Sequence, residues 1–215
     1  RRIGLLTSGG DAPGMNAAVR AVVLTAAAQG IEVVGFSHGF NGIFGNECQQ
    51  LHRAQVLHII QHGGTILKSA RCKQLEQPGG PEQAAHALHA MDIDALIVIG
   101  GDGSFRGCQA IAPFYRGQIV GIPGTIDNDV DGTDFTIGFA TALDTALDAI
   151  DKIRDTADAF ERIFLIEVMG RHTGYLALAA GIASGAEQII CPEYGDVDLV
   201  DLQQDIQQLQ QQFGR

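Results

Sequence analysis

Short apolar runs alternate with helical stretches along most of the chain, and this alternation restricts the fold more than any other feature. The apolar runs, read as strands, lie at about residues 2–7, 31–36, 94–99, 118–122, 162–168 and 186–191. The helical stretches lie at about residues 14–29, 53–62, 81–91, 104–114, 138–159 and 172–184. Strands that alternate with helices predict an α/β fold, with a parallel sheet and helices on both of its faces.

Two of the predicted strands lead into glycine-rich turns that helices follow. The strand at 2–7 continues into Ser8-Gly9-Gly10-Asp11-Ala12-Pro13-Gly14, and the strand at 94–99 continues into Gly100-Gly101-Asp102-Gly103-Ser104. This arrangement directs unpaired N–H groups and the positive end of a helix towards phosphate. Neither turn contains the Gly-Lys-Ser/Thr of a P-loop or a clean G-x-G-x-x-G, so each alone is a weak signal.

A third turn, residues 123–132, is rich in carboxylates and follows the apolar run at 118–122. Pro123 disfavours helix for the residue before it, so the run reads as a strand that ends here. Thr125, Asp127 and Asp129 would then project from the carboxyl end of a strand, where open α/β sheets bind ligands. The alternative is an ordinary solvated Asx-turn.

Composition excludes several classes of protein. The 215 residues, 46% of them hydrophobic, suffice for one sizeable core or slightly more. The net charge of −11 argues against nucleic acid or anionic membrane as partners. No apolar run approaches the ~20 residues of a membrane helix, and the amino end shows no signal-peptide pattern. Four scattered cysteines without Cys-x-x-Cys indicate a reduced, cytoplasmic protein.

Four motifs together resemble the phosphofructokinase family, in particular its bacterial ATP-dependent 6-phosphofructokinases. They are Thr7–Asn16, Gly100–Ser104, Pro123–Asp129 and Glu167–Arg171, in the family's order and spacing. The resemblance implies a Rossmann-like architecture of two incomplete domains, a nucleotide-binding domain at 1–137 and a sugar-phosphate-binding domain at 138–215. The resemblance further implies that a C-terminal third, which completes the sugar site in the family, is absent from these 215 residues. Residues 198–213 have apolar residues spaced 3, 4, 3, 4 and predict a helix packed on the second domain.

The resemblance also implies a reaction, the transfer of the γ-phosphoryl group of ATP to the 1-hydroxyl of fructose 6-phosphate. Asp127 matches the residue that accepts the hydroxyl proton, and a carboxylate suffices for this if the proton moves late in the reaction. Thr125 and Asp129 match residues that help to orient the sugar hydroxyl, while Arg71 and Arg171 supply positive charge. Asp102 suits a Mg²⁺ ion that takes one or two carboxylates and keeps several waters.

The binding residues are likewise implied by the resemblance. Those for the nucleotide are Gly10, Phe40, Arg71, Cys72, Gly101, Asp102, Gly103, Ser104 and Gly107. Those for the sugar phosphate are Thr125, Asp127, Asp129, Arg162, Met169, Gly170 and Arg171. Arg162 is expected to reach a neighbouring subunit, which implies a homotetramer with shared active sites. From the residues alone, Arg162 could instead pair with Asp158 or Glu161, and Met169 reads as a core residue.

An effector site for a nucleotide diphosphate or phosphoenolpyruvate is implied at Arg20, Arg53, Arg154, Gly185 and Glu187. Leu24 stands where a second helix arginine is usual, and Gln211 and Phe213 fall where lysines are usual. Fewer cations attract a phosphorylated effector less strongly, so allosteric control is expected to be altered or absent.

Three interpretations of function remain, and the first is the transfer of the γ-phosphoryl group of ATP to fructose 6-phosphate. Members that use pyrophosphate tend to carry Asp and Lys where this chain has Gly103 and Gly124, so both glycines favour ATP. Lipid kinases and NAD kinases share the Gly-Gly-Asp-Gly turn, but Pro123–Asp129 and Met169–Arg171 argue against them. The last interpretation is a non-catalytic nucleotide-binding subunit or a truncated product.

Overall fold

A computed structural model of the chain describes residues 1–160, 162–195 and 197–213. The chain forms two compact units. The first contains Arg1–Thr125 and Asp129–Gly138, and the second contains Ile126–Asn128 and Phe139–Arg215. The division thus falls at Gly138, and a three-residue piece of the acidic turn groups with the second unit.

The first unit is built on one sheet. Its strands are β1 (Arg2–Thr7), β2 (Glu32–Phe36), β3 (Cys48–Leu51), β4 (Ala95–Gly100), β5 (Gln118–Thr125) and β6 (Ile137–Gly138), in the order β3-β2-β1-β4-β5-β6. All neighbouring pairs are parallel except β2 and β3. The prediction of an α/β fold with a parallel sheet is confirmed, and β3 is the one antiparallel strand of this sheet. Only residues 37–47 join β2 to β3, and a parallel crossover usually needs a dozen residues or more.

Helices cover both faces of this sheet. They are α1 (Met15–Ala28), α2 (Asn41–Phe44), α3 (Arg53–Val56), α4 (Gly80–Ala90) and α5 (Asp102–Ile111). The connection β1–α1–β2 steps along the sheet in one direction and β4–α5–β5 steps in the other. Because such crossovers are right-handed, α1 and α5 lie on opposite faces.

The helix predicted over 53–62 is wrong beyond Val56, where turns replace it. The β-branched pair Ile59-Ile60 and the glycines that follow disfavour a helix. In addition, Asn16 on α1 binds the carbonyls of His62 and Gly63, which holds this stretch in a loop.

One hydrophobic cluster of the first unit lies between the sheet and helices α4 and α5. Phe36, Leu88, Leu96 and Ile111 are fully buried there, and each such side chain contributes about 1.5–3 kcal/mol through removal from water. The hydroxyl of Tyr115 donates to the carbonyl of Ile93 at 2.6 Å, next to the amino end of β4. Burial, with a smaller effect of Asp94, raises the pKa of Tyr115 to about 12.

The second unit is helical. It contains α6 (Phe139–Phe160), which packs against α7 (Tyr175–Ser184), a 3-10 turn (Pro192–Tyr194) and α8 (Leu199–Phe213). The helix predicted over 198–213 is therefore confirmed. The strands predicted at 162–168 and 186–191 are wrong in the described part of the chain, because an extended segment becomes a strand only when a neighbour pairs with it. No helix among the described residues has the length and apolarity required to span a membrane.

Candidate active site

The two glycine-rich turns meet in the middle of the sheet. Strands β1 and β4 are neighbours, and their crossovers leave in opposite directions, so their carboxyl ends flank a crevice of the kind that binds ligands in open α/β sheets. The N–H of Ser8 donates to the carbonyl of Ile99 at 2.9 Å. A Cβ at Gly100 would lie 2.5 Å from Ser104 Oγ and 2.7 Å from the carbonyl of Ser8. Only glycine at position 100 therefore allows the turns to lie this close.

Helix α5 begins at this crevice with Asp102. The N–H groups of a first helical turn have no intrahelical acceptor, and this end of the helix carries positive partial charge. The half-exposed carboxylate of Asp102 pairs with Arg106 Nε at 2.9 Å. Gly103 is exposed, and a Cβ built on it or on Gly10 would meet no atom within 4 Å. The space in front of both turns is thus open.

The loop that carries Arg71 is attached to the first glycine-rich turn. Thr7 at the end of β1 donates to the carbonyl of Lys68 at 2.9 Å, and the hydroxyl of Ser69 donates to the carbonyl of Gly9. Asn41 Nδ2 donates to the carbonyl of Arg71 at 3.2 Å. The Arg71 side chain is exposed, whereas its neighbour Cys72 is buried.

Phe40 and Gly107 are in contact within the first unit. Phe40 is buried, and a Cβ at Gly107 would lie 3.3 Å from Phe40 Cε2 and 3.0 Å from Leu75 Cδ2. A larger residue at position 107 would therefore press on the Phe40 ring.

The acidic turn is divided between the two units. In the first unit, the carbonyl of Thr125 accepts from Thr136 Oγ1 at 2.6 Å, and a Cβ at Gly101 would lie 3.3 Å from Thr125 Cβ. Thr125 is therefore next to the second glycine-rich turn. Asp129 is exposed. Asn128, in the second unit, has φ 54°, the left-handed conformation that Asn tolerates.

In the second unit, Asp127 is joined to the turn at residues 170–173. Thr173 Oγ1 lies 2.9 Å from the carbonyl of Asp127 and 3.1 Å from that of Gly170. Gly170 has φ 147°, and a Cβ there would lie 2.6 Å from the carbonyl of Thr173, so glycine is required for this turn. Arg171 is exposed with φ 59°, and the Met169 side chain is 72% exposed. The core interpretation of Met169 is therefore wrong.

Three further predicted residues adjoin a cavity of about 520 Å³ in the second unit. Arg154, Arg162 and Glu187 line it together with apolar side chains of α6, α7 and α8. Arg154 donates to the carbonyl of Ser184, beside Gly185. The ion pair considered for Arg162 involves Glu161 and the Asp158 side chain, which both lie outside the described parts of the chain, as does the side chain of Phe213.

The remaining predicted effector residues, Arg20 and Arg53, belong to the first unit. They lie on α1 and at the start of α3, two helices that pack against each other. The Nε of Arg20 is buried and has no hydrogen-bond acceptor among the described residues.

Comparisons with known proteins agree with this geometry. The family model described as "Phosphofructokinase" matches residues 2–215. The chain belongs to the phosphofructokinase family.

Curated relatives and solved structures give the same assignment. The ATP-dependent 6-phosphofructokinase of Clostridium botulinum (strain Eklund 17B / Type B) is 54% identical over 92% of this chain and 62% of its own length. ATP-dependent 6-phosphofructokinase 1 of Thermus thermophilus is 54% identical over 90% and 60%. The T-state structure of Pichia pastoris phosphofructokinase matches with a TM-score of 0.82 at 39% identity, over 90% of this chain and 22% of its own.

A more distant structure agrees in fold alone. The pyrophosphate-dependent phosphofructokinase of Marinobacter aquaeolei has a TM-score of 0.83 at 24% identity, over 100% of this chain and 58% of its own. This chain spans about 60% of the length of the curated phosphofructokinases that it matches.

Three residues near the candidate phosphofructokinase site escaped the sequence reasoning. Arg106 pairs with Asp102 from one helical turn away, a spacing that is visible in the sequence. Thr173 binds the backbone of Asp127, and Asn16 binds the loop before Arg71. Their partners are 46 residues away or more, so no local pattern predicts these two contacts.

Proposed function

We propose that this chain forms part of an enzyme that transfers the γ-phosphoryl group of ATP to the 1-hydroxyl of fructose 6-phosphate. The observation that carries the proposal is the meeting of the two glycine-rich turns with the Arg71 loop, in front of open space at Gly103. The relatives that are 54% identical carry the name of this activity, which supports the same conclusion.

Phosphoryl transfer is catalysed by positioning the reactants and by offsetting charge on the phosphoryl group. The first-turn N–H groups of α5 and the exposed Arg71 guanidinium are suited to hold the ATP phosphates. Phe40 and Gly107 are assigned to the adenine side, with Gly10, Cys72, Gly101 and Ser104 lining the path between.

Asp102 fits the Mg²⁺ ion that accompanies ATP. No cluster of three or more His, Cys, Asp or Glu side chains occurs in the described ranges, but magnesium bound to a nucleotide needs only one or two carboxylates. Asp102 is half-exposed and pairs with Arg106. An exposed ion pair of this kind is worth about 0–1 kcal/mol, so Mg²⁺ could replace Arg106 as the partner of the carboxylate. When bound, Mg²⁺ would neutralise charge on the phosphates.

Asp127 is assigned as the acceptor of the hydroxyl proton. Its backbone is fixed by Thr173, which supports a defined direction for its carboxylate. Thr125 and Asp129 are assigned to orient the sugar. Arg162, Met169, Gly170 and Arg171 are assigned to hold the sugar phosphate, and the exposure of Met169 and both arginines leaves them accessible to a ligand.

We infer the oligomeric state, the effector site and the compartment of the protein from the same assignment. We propose a homotetramer in which Arg162 serves a neighbouring active site, with an effector site near Arg20, Arg53, Arg154, Gly185 and Glu187. Cytoplasm is the expected compartment, since all four cysteines are unpaired.

The choice of donor rests chiefly on Gly103. A Cβ at Gly124 would lie 2.9 Å from Ile99 Cγ2, so packing already explains glycine there. At Gly103 the space is open, and a carboxylate placed in it would oppose the ATP phosphates.

The test is a coupled assay of the full-length protein with ATP or pyrophosphate as donor. We expect turnover with ATP, and an increase of at least about tenfold in the KM for ATP in Gly103→Asp through charge repulsion. Gly103→Asn is the matched control for size, and we expect a smaller effect. Turnover with pyrophosphate and none with ATP would contradict the proposal.

A further inference from the structure

Two buried polar side chains hold the loop of residues 62–68 although neither has a part in the transfer chemistry. Asn16 on α1 is 2% exposed and Thr7 at the end of β1 is 0% exposed. Asn16 Nδ2 donates to the carbonyls of His62 at 3.0 Å and Gly63 at 3.2 Å. Its Oδ1 accepts from the N–H of Ile66 at 2.8 Å. One amide thus satisfies three backbone groups of this loop.

Thr7 continues the same network. Its hydroxyl donates to the carbonyl of Lys68, so its 2.9 Å contact with Thr65 Oγ1 requires Thr65 to be the donor. Thr65 Oγ1 in turn accepts from the N–H of Leu67 at 3.3 Å. The hydrogen bonds therefore run in one direction and end at Lys68, which has φ 60°, an uncommon conformation for a residue other than glycine.

The chain proceeds directly from this loop to Arg71. The N–H of His38 donates to the carbonyl of Leu67 at 2.9 Å, the hydroxyl of Ser69 to that of Gly9, and Asn41 to that of Arg71. The last backbone group bound by Asn16 or Thr7 is the carbonyl of Lys68, which is only three residues before Arg71. The Arg71 side chain is exposed, so its direction depends on its backbone.

We propose that Asn16 and Thr7 are positioning residues that act on the bound nucleotide through Arg71. The inference rests on the proposed function of Arg71 as a phosphate-binding residue. Removal of Asn16 would leave the carbonyls of His62 and Gly63 without their donor, and the loop would move to find other partners. Arg71 would then occupy its working position for a smaller fraction of the time.

The test is a double-mutant cycle between Asn16→Ala and Arg71→Ala in the full-length protein. We expect Asn16→Ala to lower kcat/KM for MgATP about tenfold in the wild-type background, because Arg71 would be in its working position for a smaller fraction of the time. In the Arg71→Ala background, the same substitution is expected to change kcat/KM less than twofold. An equal loss in both backgrounds would overturn the proposal and leave Asn16 a purely structural residue.

Tyr115→Phe is the matched control for stability. It removes a buried hydrogen bond of the same unit. This bond lies beside the amino end of β4, whereas the candidate site lies at the carboxyl ends of the strands. We expect it to lower the urea midpoint of unfolding without change in kcat/KM for MgATP. A loss in Tyr115→Phe equal to that in Asn16→Ala would attribute both effects to general destabilisation and overturn the proposal.

Thr7 allows a second double-mutant cycle with Arg71→Ala, which can be measured even if Asn16→Ala does not fold. Thr7→Val keeps the shape and removes the hydroxyl, whereas Thr7→Ser retains it. We expect Thr7→Val to behave as Asn16→Ala and Thr7→Ser to restore most of the activity; equal activity in both would contradict the role of the hydroxyl.

Calorimetric titration of MgATP separates this inference from the proposed function. If the wild-type protein binds MgATP but does not phosphorylate fructose 6-phosphate, the proposed function fails, and the Asn16–Arg71 coupling is measured as a change in Kd. Absence of MgATP binding by the wild-type protein would overturn both.

Discussion

At the scale of single residues, Asp127 is the side chain on which the proposed chemistry depends most directly. We expect Asp127→Asn to lower kcat at least about 10²-fold with little change in the KM for ATP, because the amide keeps the volume but cannot accept the proton. Steady-state kinetics of the full-length protein with ATP and fructose 6-phosphate measure both parameters.

Asp131→Asn is the matched control for Asp127→Asn. Asp131 is an exposed carboxylate of the same turn without an assigned role, so its substitution removes one negative charge and is expected to leave kcat within about twofold. An Asp127→Asn variant with a kcat near that of the wild-type protein would eliminate Asp127 as the proton acceptor.

At the scale of secondary structure, the elements that the sequence predicts best are those with long apolar patterns. Strands β1 and β4 and helix α1 lie within one residue of their predicted bounds, because continuous apolar runs and helical periodicity reflect burial directly. Strand β3 carries no such signal, since Cys48-Gln49-Gln50 is exposed and owes its conformation to pairing with β2. The sequence predicts helix at residues 57–62, where the structure has turns, because Asn16, which binds the carbonyls of His62 and Gly63, is distant in sequence.

In the candidate site, too, contacts between distant segments leave no local pattern in the sequence. The glycine-rich turns and Asp102 are recognisable because each is a contiguous motif at the end of a predicted strand. The hydrogen bonds that attach the Arg71 loop to β1 and Asp127 to Thr173 cannot be recognised in the sequence, because they join segments far apart in the chain.

Cysteine labelling tests these elements one by one. Cys48 on β3 is exposed, whereas Cys72, Cys108 on α5 and Cys191 are buried. Burial raises the pKa of Cys108 to about 12, and burial together with Glu193 raises that of Cys191. At pH 8, a thiol with a pKa of about 12 has only about 10⁻⁴ of its population as the reactive thiolate.

We therefore expect iodoacetamide at pH 8 to modify Cys48 well before the other three cysteines, as read from peptide masses. Unfolding in urea is the control, and all four should then react. Rapid modification of Cys108 in the native protein would contradict the packing of α5 against the sheet.

At the scale of the whole molecule, the two units contribute unequally to the proposed reaction. The residues assigned to the nucleotide all belong to the first unit. Those assigned to the sugar phosphate come from both units, and this chain matches only about three fifths of the length of its curated relatives. In the second unit, several large apolar side chains are exposed, among them Leu165 at 85% and Ile182 at 68%.

We expect a polypeptide of residues 1–215 to bind MgATP but to phosphorylate little or no fructose 6-phosphate. A sugar held by part of its contacts would not be fixed in line with the γ-phosphate, and loose positioning costs about 10²-fold in rate or more. Exposed apolar groups on this scale also favour association, so low solubility is expected.

Calorimetric titration of MgATP beside a coupled assay on the same preparation measures both quantities. Arg71→Ala in the same polypeptide is the control, and it should weaken MgATP binding if the heat comes from the proposed site. Turnover of fructose 6-phosphate by residues 1–215 at the rate of the full-length protein would mean that these residues already hold every essential sugar contact. The assignment of the sugar site would then have to be abandoned, because it assumes that positioning by Thr125, Asp127, Arg162 and Arg171 alone is insufficient.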